Sequence, residues 1–247
     1  MKSKKWIYVL AILIMSIIAM LSLGFNIYFL ATTPKAASGV FNVAKDSVVE
    51  IKAETEAVGI SYGSGIIVYS DGTIVTNAHV VSYTKLGQSN FFETISIRLI
   101  DEQDFRGVNV VKCDLDLDIA VLKLTCDRKI IPIEIGDDTK LNYGDKVYAI
   151  GNMSNYGISL TTGYIAIPHI FVTYNDITRN VIQCNLTISD GNSGGALIDE
   201  NGKLLGITTF RLKDQSNNII YGISYCIPIN TVLEYIENWL FPIDKIT

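Results

Sequence analysis

From Trp6 to Pro34 the chain carries not one charged side chain, and most of that run is Ile, Leu, Met, Ala, Phe or Tyr. Roughly 20 apolar residues suffice for a helix to cross a bilayer, where the helix satisfies every backbone group within the segment. The run therefore predicts one membrane-crossing helix over residues 6–31, with residues 1–5 as a stub before it. Lys2, Lys4 and Lys5 precede the run, and a mixed flank of Lys35, Lys45, Asp46 and Glu50 follows it. The positive-inside bias then keeps the N-terminus in the cytoplasm and sends the rest of the chain across. A cleaved signal peptide has an apolar region of about 7–15 residues before an A-x-A-like site. This run is longer, and Lys35-Ala36-Ala37-Ser38 fits such a site poorly, so the expectation is an uncleaved, single-pass signal anchor with an extracytoplasmic body.

The 247 residues leave room for one large domain or two small ones beyond the anchor. The net charge of −5 has no long charge run behind it, which argues against nucleic acid as a partner. None of the four cysteines (Cys113, Cys126, Cys184, Cys226) has C-x-x-C spacing, so no zinc site is expected. Export permits disulfides, and the residues leave three pairings or free thiols open.

Residues 32–45 read as a linker ending in a helical turn, and from Asp46 the texture becomes strand and turn. Val48–Ile51 is β-branched, and Gly65–Tyr69 leads through Asp71-Gly72, a strong hairpin signal, to Thr73–Thr76. Further strands are expected at 95–100, 107–112, 119–124, 146–150, 159–167, 181–187, 196–198, 204–210 and 219–227, with Asn201-Gly202 marking a second tight hairpin. Many short strands at even spacing predict an all-β barrel or sandwich. Tyr83–Glu93, Phe171–Arg179 and Lys213–Asn218 read as surface loops. Only the tail is helical in pattern: Asn230 is the expected cap, Val232, Tyr235, Ile236 and Trp239 share a face, and Pro242 is the stop. Two strand-rich halves, 46–130 and 131–247, are expected to meet near Lys129–Ile135.

Gly191-Asn192-Ser193-Gly194-Gly195 is a turn of small residues that lifts a hydroxyl out of the sheet and frees backbone N–H groups to converge. An alcohol is a weak nucleophile near neutral pH and needs a base, itself held by a third group. Of the two histidines, His79 follows Thr76-Asn77-Ala78 at the end of the first hairpin, whereas His169 reads as a loop residue. Asp118 stands at the lip of an apolar strand in Asp116-Leu117-Asp118-Ile119-Ala120-Val121-Leu122. The order His, Asp, Ser is one of three chain orders known for serine-protease triads.

TNAHVV around His79, DIAVLKL around Asp118 and GNSGG around Ser193 resemble the trypsin-like serine proteases of the HtrA/Deg type. GSGIIV at 63–68, GDDTKLNYGDKVYAIGN at 136–152, LTTG at 160–163 and YCIPIN at 225–230 resemble that family's framework in the same order. The resemblance covers about residues 40–240. It implies two perpendicular six-stranded β-barrels with the active site between them, Ser193 as nucleophile, His79 as base, Asp118 as its orienter, and the N–H groups of Gly191 and Ser193 as the oxyanion hole. No cofactor or metal is implied. By position, Thr187 is expected at the base of the specificity pocket, with Ile207, Thr208, Thr209 and Ser224–Cys226 on its walls. With no acidic residue at the base, an apolar side chain of modest size is the expected preference. Cys184 and Cys226 fall on strands that the family fold brings close, which makes them a candidate disulfide.

Two departures stand out. Digestive relatives carry Asp before the serine, paired with an N-terminus freed by zymogen cleavage; here Asn192 cannot form that ion pair, so no activation by cleavage is expected. Ser189-Asp190 replaces the Asn-Pro common in the family before the serine turn. The stretch after Ser193 is taken up by the second barrel and the helix, so no PDZ domain is expected. The resulting expectation is an anchored endopeptidase acting on exported, unfolded or misfolded polypeptides. A barrel module with little turnover and a processing protease for one partner are the alternatives. The resemblance adds a homotrimer as the candidate assembly, although the residues themselves select no oligomeric state.

Overall fold

The computed structural model describes residues 2–32, 36–174, 176–213 and 219–240. The chain divides into two compact units, residues 1–36 and 37–247. The first is helix α1 (Lys2–Thr32), the one helix among the described residues long and apolar enough to cross a membrane. Its polar side chains bond back within the helix: Ser16 Oγ donates to Ile12 O at 2.9 Å and Asn26 Nδ2 to Ser22 O at 2.8 Å. Such bonds satisfy side-chain donors within the helix itself.

The second unit opens with helix α2 (Ala37–Ala44), in the stretch expected as a linker. Val40 and Ala44 are fully buried, so the chain is part of the folded body from Ala37 onward. The strands that follow are β1 (Val48–Thr55), β2 (Gly59–Ile67) and β3 (Thr73–Thr76), then a short helix α3 (Ala78–Val81), β4 (Ser82–Lys85), β5 (Gln88–Phe91), β6 (Thr94–Leu99), β7 (Arg106–Gly107), β8 (Asn109–Asp114) and β9 (Ile119–Lys123). After a connection come β10 (Lys146–Asn152), β11 (Ile158–Tyr174), β12 (Ile177–Cys184), β13 (Ala196–Ile198), β14 (Leu204–Lys213), β15 (Ile219–Pro228) and helix α4 (Ile229–Leu240).

The first seven-membered sheet runs β7-β6-β1-β2-β3-β9-β8. Because β7 pairs with β6 while β8, one residue further along, pairs with β9, a single broken strand joins the sheet's two edges and makes a six-strand barrel of it. The second sheet is a closed barrel, β10-β11-β12-β15-β14-β13.

Strand period two divides the apolar runs between three cores. In β1, Val49, Ile51 and Ala53 fill the first barrel while Val48 faces outward; in β9, Ala120 and Leu122 point in while Ile119 and Val121 point out. In the second barrel Val147, Ala149, Leu197 and Leu205 point in, whereas Tyr148, Ile150, Ile198 and Ile207 point out. The outward sets meet in one seam with Val40, Ala44, Val232, Tyr235 and Ile236. Both faces of these strands are buried, which is why they read as continuous apolar runs rather than as alternation.

Four expectations are corrected here. Tyr83–Glu93 is largely the β4–β5 hairpin, and Phe171–Arg179 is the β11–β12 hairpin. His169 thus lies on a strand, with Nε2 at 3.1 Å from Asp138 O. The cap of α4 is not Asn230, which sits inside the first turn. The Asp138 carboxylate, distant in sequence, accepts the Asn230 backbone N–H at 3.0 Å. The Trp239 side chain, residues 214–218 of the expected last loop and Pro242 lie outside the described residues.

Burial raises the Asp138 carboxyl above its ordinary range, against the Asn230 N–H and nearby His169 that favour its charge. A carboxyl whose folded pKa is raised favours the fold most below its unfolded value, about 3.9, and that contribution is lost as pH rises through the folded value. Asp138→Asn keeps an acceptor for Asn230 without the buried charge. The stability of this variant relative to wild type is therefore expected to rise as pH increases from about 4, read as the difference in Tm across a pH series.

Candidate active site

Three chain segments deliver the site to one end of the seam: α3 after β3, the turn before β9, and the turn before β13. His79 in α3 is about half exposed, 48%, and its Nδ1 lies 2.9 Å from both Asp118 carboxylate oxygens. The His79 backbone N–H also donates to Asp118 Oδ1, at 3.0 Å. Asp118 is buried and sits in the left-handed region with φ at 58°. The Asn77 side chain donates to its carbonyl at 3.0 Å, and the Thr209 hydroxyl donates to Oδ2 at 2.7 Å. Burial alone would raise this carboxyl. The charge and hydrogen bonds of His79 and the bond from Thr209 outweigh it and hold Asp118 below its usual range. An ionised Asp118 can only accept, so it fixes the ring proton on Nδ1 and leaves the Nε2 lone pair as the basic site.

The serine turn is held by the first barrel as much as by the second. Ser64 on β2 donates its backbone N–H to Ser193 O at 2.8 Å and its hydroxyl to Gly191 O at 2.7 Å. Asn152 N–H donates to that same hydroxyl at 2.8 Å. On the other side, Gly194 N–H donates to Thr208 O at 2.8 Å, and the Thr208 hydroxyl donates to Asn192 O at 2.5 Å. Among the described residues, no backbone acceptor takes the N–H of Gly191 or Ser193. The Ser193 hydroxyl donates to Thr209 O at 3.0 Å. Thr209 thus touches both partners, Asp118 through its hydroxyl and Ser193 through its carbonyl. Among the described residues no hydrogen bond joins Ser193 directly to His79.

Of the expected pocket residues, Thr187 is exposed. Ile207 packs in the seam core, Thr208 is tied to the serine turn, and the buried Ser224 donates to Cys184 O at 3.1 Å. These last three side chains are committed to contacts within the fold, and Thr209 donates to Asp118. A cleft of 490 Å³ opens beside the histidine, lined in part by His79, Tyr83, Asp118, Arg179, Thr209 and Phe210. Cys113 offers no competing nucleophile: burial, reinforced by Asp118 and Asp114, pushes its thiol up to about 11. All four cysteines are free thiols. Cys184 and Cys226 are buried on adjacent strands as diagonal neighbours of one face. Among the described residues no cluster of three or more His, Cys, Asp or Glu side chains could hold a metal ion.

Sequence reasoning misses the roles of Ser64 and Arg179, and names Thr208 and Thr209 only as pocket residues, not for their bonds to the serine turn and to Asp118. A serine between two glycines at the start of an apolar run, as in Gly63-Ser64-Gly65-Ile66-Ile67, was a usable signal. A buried hydroxyl there has to find backbone partners outside its own strand.

The family described as trypsin-like peptidase domain matches residues 63–207. A probable periplasmic serine endoprotease DegP-like of Bartonella henselae is 32% identical over 200 residues, covering 80% of this chain and 37% of that protein. The periplasmic serine endoprotease DegP of Escherichia coli is 34% identical over 174 residues, 70% of this chain and 34% of that protein. The serine endoprotease DegS of Haemophilus influenzae is 36% identical over 169 residues, 68% of this chain and 47% of that protein. The solved structure titled HtrA-type protease AlgW with tripeptide matches with a TM-score of 0.71 and 26% identity, over 84% of this chain and 64% of that one. The matched region spans between a third and a half of the length of these curated relatives.

Proposed function

The chain belongs to the trypsin-like peptidase family, in its HtrA/Deg branch, and on that footing we propose that it is a membrane-anchored serine endopeptidase acting on exported polypeptides in unfolded states. The observation that carries this reading is Asp118 beside the serine turn, its carboxylate held by His79 and Thr209 and its backbone carbonyl by Asn77. In catalysis the Ser193 hydroxyl leaves Thr209 O and donates to His79 Nε2, and Oγ attacks the peptide carbonyl. His79 takes the proton and returns it to the leaving amine, while Asp118 stabilises the imidazolium and stays ionised. The N–H groups of Gly191 and Ser193 receive the charge that develops on the carbonyl oxygen, a contribution of about 2.7–4 kcal/mol per donor in such sites. The chemistry needs no cofactor. The lysines that precede the charge-free run support an N-terminus in the cytoplasm, and the periplasmic relatives support a body outside it.

A second reading, a barrel module that binds polypeptides with little turnover, is favoured by the resting partner of Ser193, which is Thr209 O rather than His79. One experiment separates the two. The full chain in detergent is treated with a fluorophosphonate probe and with unfolded casein, next to Ser193→Ala. The proposed activity requires labelling and cleavage by the wild type, no labelling of the variant, and a loss of about 10⁶-fold in kcat. A folded wild type that neither labels nor cleaves leaves the binding module as the reading.

A further inference from the structure

Asp118 sits on the first barrel, yet much of what positions it comes from the second. Arg179 lies on β12, opposite Val172 of β11. Its side chain crosses to the turn between β8 and β9. There Nε donates to Asp116 O at 2.5 Å and Nη2 to Leu115 O at 2.9 Å. These carbonyls lie two and three residues before Asp118. Apart from Leu117 N–H on the Asp114 carboxylate at 2.8 Å, the hydrogen bonds holding this stretch come from other segments. Asp118 itself adopts a left-handed backbone, a conformation that persists in a non-glycine residue only where its surroundings over-determine it. The planar guanidinium fork suits two adjacent carbonyls, a geometry that a lysine ammonium does not reproduce. Arg179, Leu115, Asp118 and His79 all line the cleft described above.

We infer that Arg179 is a positioning residue: a strut from the second barrel that sets the Asp118 turn, and through it the orientation of His79. Together with Thr209, it makes the geometry of a first-barrel dyad depend on the placement of the second barrel. The inference rests on the proteolytic reading above. Nothing in the strut touches the reacting atoms, so its removal acts on turnover rather than on substrate affinity.

The test measures kcat and KM on a peptide substrate for the full-length wild type, Arg179→Ala, Arg179→Lys, Asp118→Asn and the double variant Arg179→Ala/Asp118→Asn, with thermal unfolding to identify folded protein. A misplacement of about 1 Å in a catalytic group costs about 10²-fold. The expected result for Arg179→Ala is therefore a loss of about 10–100-fold in kcat, with KM within about threefold. Arg179→Lys is expected to fall between it and the wild type. In the Asp118→Asn background, removing Arg179 is expected to cost less than about twofold, because a residue acting through Asp118 has nothing left to position. Wild-type kcat in Arg179→Ala, a loss confined to KM, or the same loss with and without the Asp118 carboxylate would each overturn the inference. Should Arg179→Ala not fold, the same comparisons run on Arg179→Lys decide. A folded wild type that neither labels nor cleaves sinks the proteolytic reading instead, and this inference with it.

Discussion

Asp118→Asn is expected to lower kcat by about 10⁴-fold near pH 8, the size of loss that a wrong histidine tautomer causes in triad enzymes. The carboxylate receives three kinds of donor: the ring Nδ1–H of His79 at 2.9 Å, the His79 backbone N–H at 3.0 Å and the Thr209 hydroxyl at 2.7 Å. An amide offers one oxygen and one NH2 group. With its oxygen toward the His79 backbone N–H, the NH2 faces Nδ1 and the Thr209 hydroxyl, and Nδ1 has to become an acceptor. The ring proton then moves to Nε2, and the lone pair that should take the Ser193 proton is gone. Steady-state kinetics on a peptide substrate decide the matter; an Asn variant keeping more than about a tenth of wild-type kcat contradicts this role. The same substitution changes acid stability with a definite sign. The folded pKa of Asp118 is depressed, so its contribution is present above the unfolded value near 3.9 and is lost as pH falls through the folded value. The stability advantage of the wild type over the variant should therefore shrink below about pH 4.

Gly194→Ala is expected to cost roughly 3–5 kcal/mol of stability and to abolish activity with it. Gly194 has φ at 83°, and a Cβ there would stand 2.1 Å from Ser64 O and 2.1 Å from Thr76 Oγ1. Both atoms are fixed, since the Thr76 hydroxyl donates to Ser64 O at 2.6 Å across adjacent strands of the first barrel. The added methyl group can be accommodated only by lifting the serine turn off that barrel, which breaks the Ser64–Ser193 and Gly194–Thr208 backbone bonds. Gly144 is the control. Its φ is also 83°, but nothing lies within 4 Å of its would-be Cβ. Gly144→Ala should cost only the left-handed strain, about 1–2 kcal/mol. Urea unfolding of the two variants separates strain from collision, and equal costs would contradict the packing account.

Much of this protein was legible in the sequence for local reasons. The run from Trp6 to Pro34 admits little besides a long apolar helix. Strands such as Thr73–Thr76, Ala196–Ile198 and Leu204–Phe210 announce themselves by β-branched apolar residues between turn signals. The triad candidates stood out because a weak nucleophile, a base and an acid occur in a meaningful chain order. The hairpins at 82–91 and 171–180 were missed because they are polar or lack clean alternation, and their pairing is set by partners rather than by pattern. The sequence likewise could not say which parity of each apolar run fills a barrel and which fills the seam, since both faces are buried and equally apolar. That choice places Ile207 in the seam. It was tertiary structure, too, that put Asp138 at the start of α4, Thr209 between Asp118 and Ser193, and Arg179 on the Asp118 turn. These contacts join residues 16 to 92 positions apart. Sequence pattern reports on a residue and its near neighbours, whereas such contacts exist only once two barrels have closed and docked.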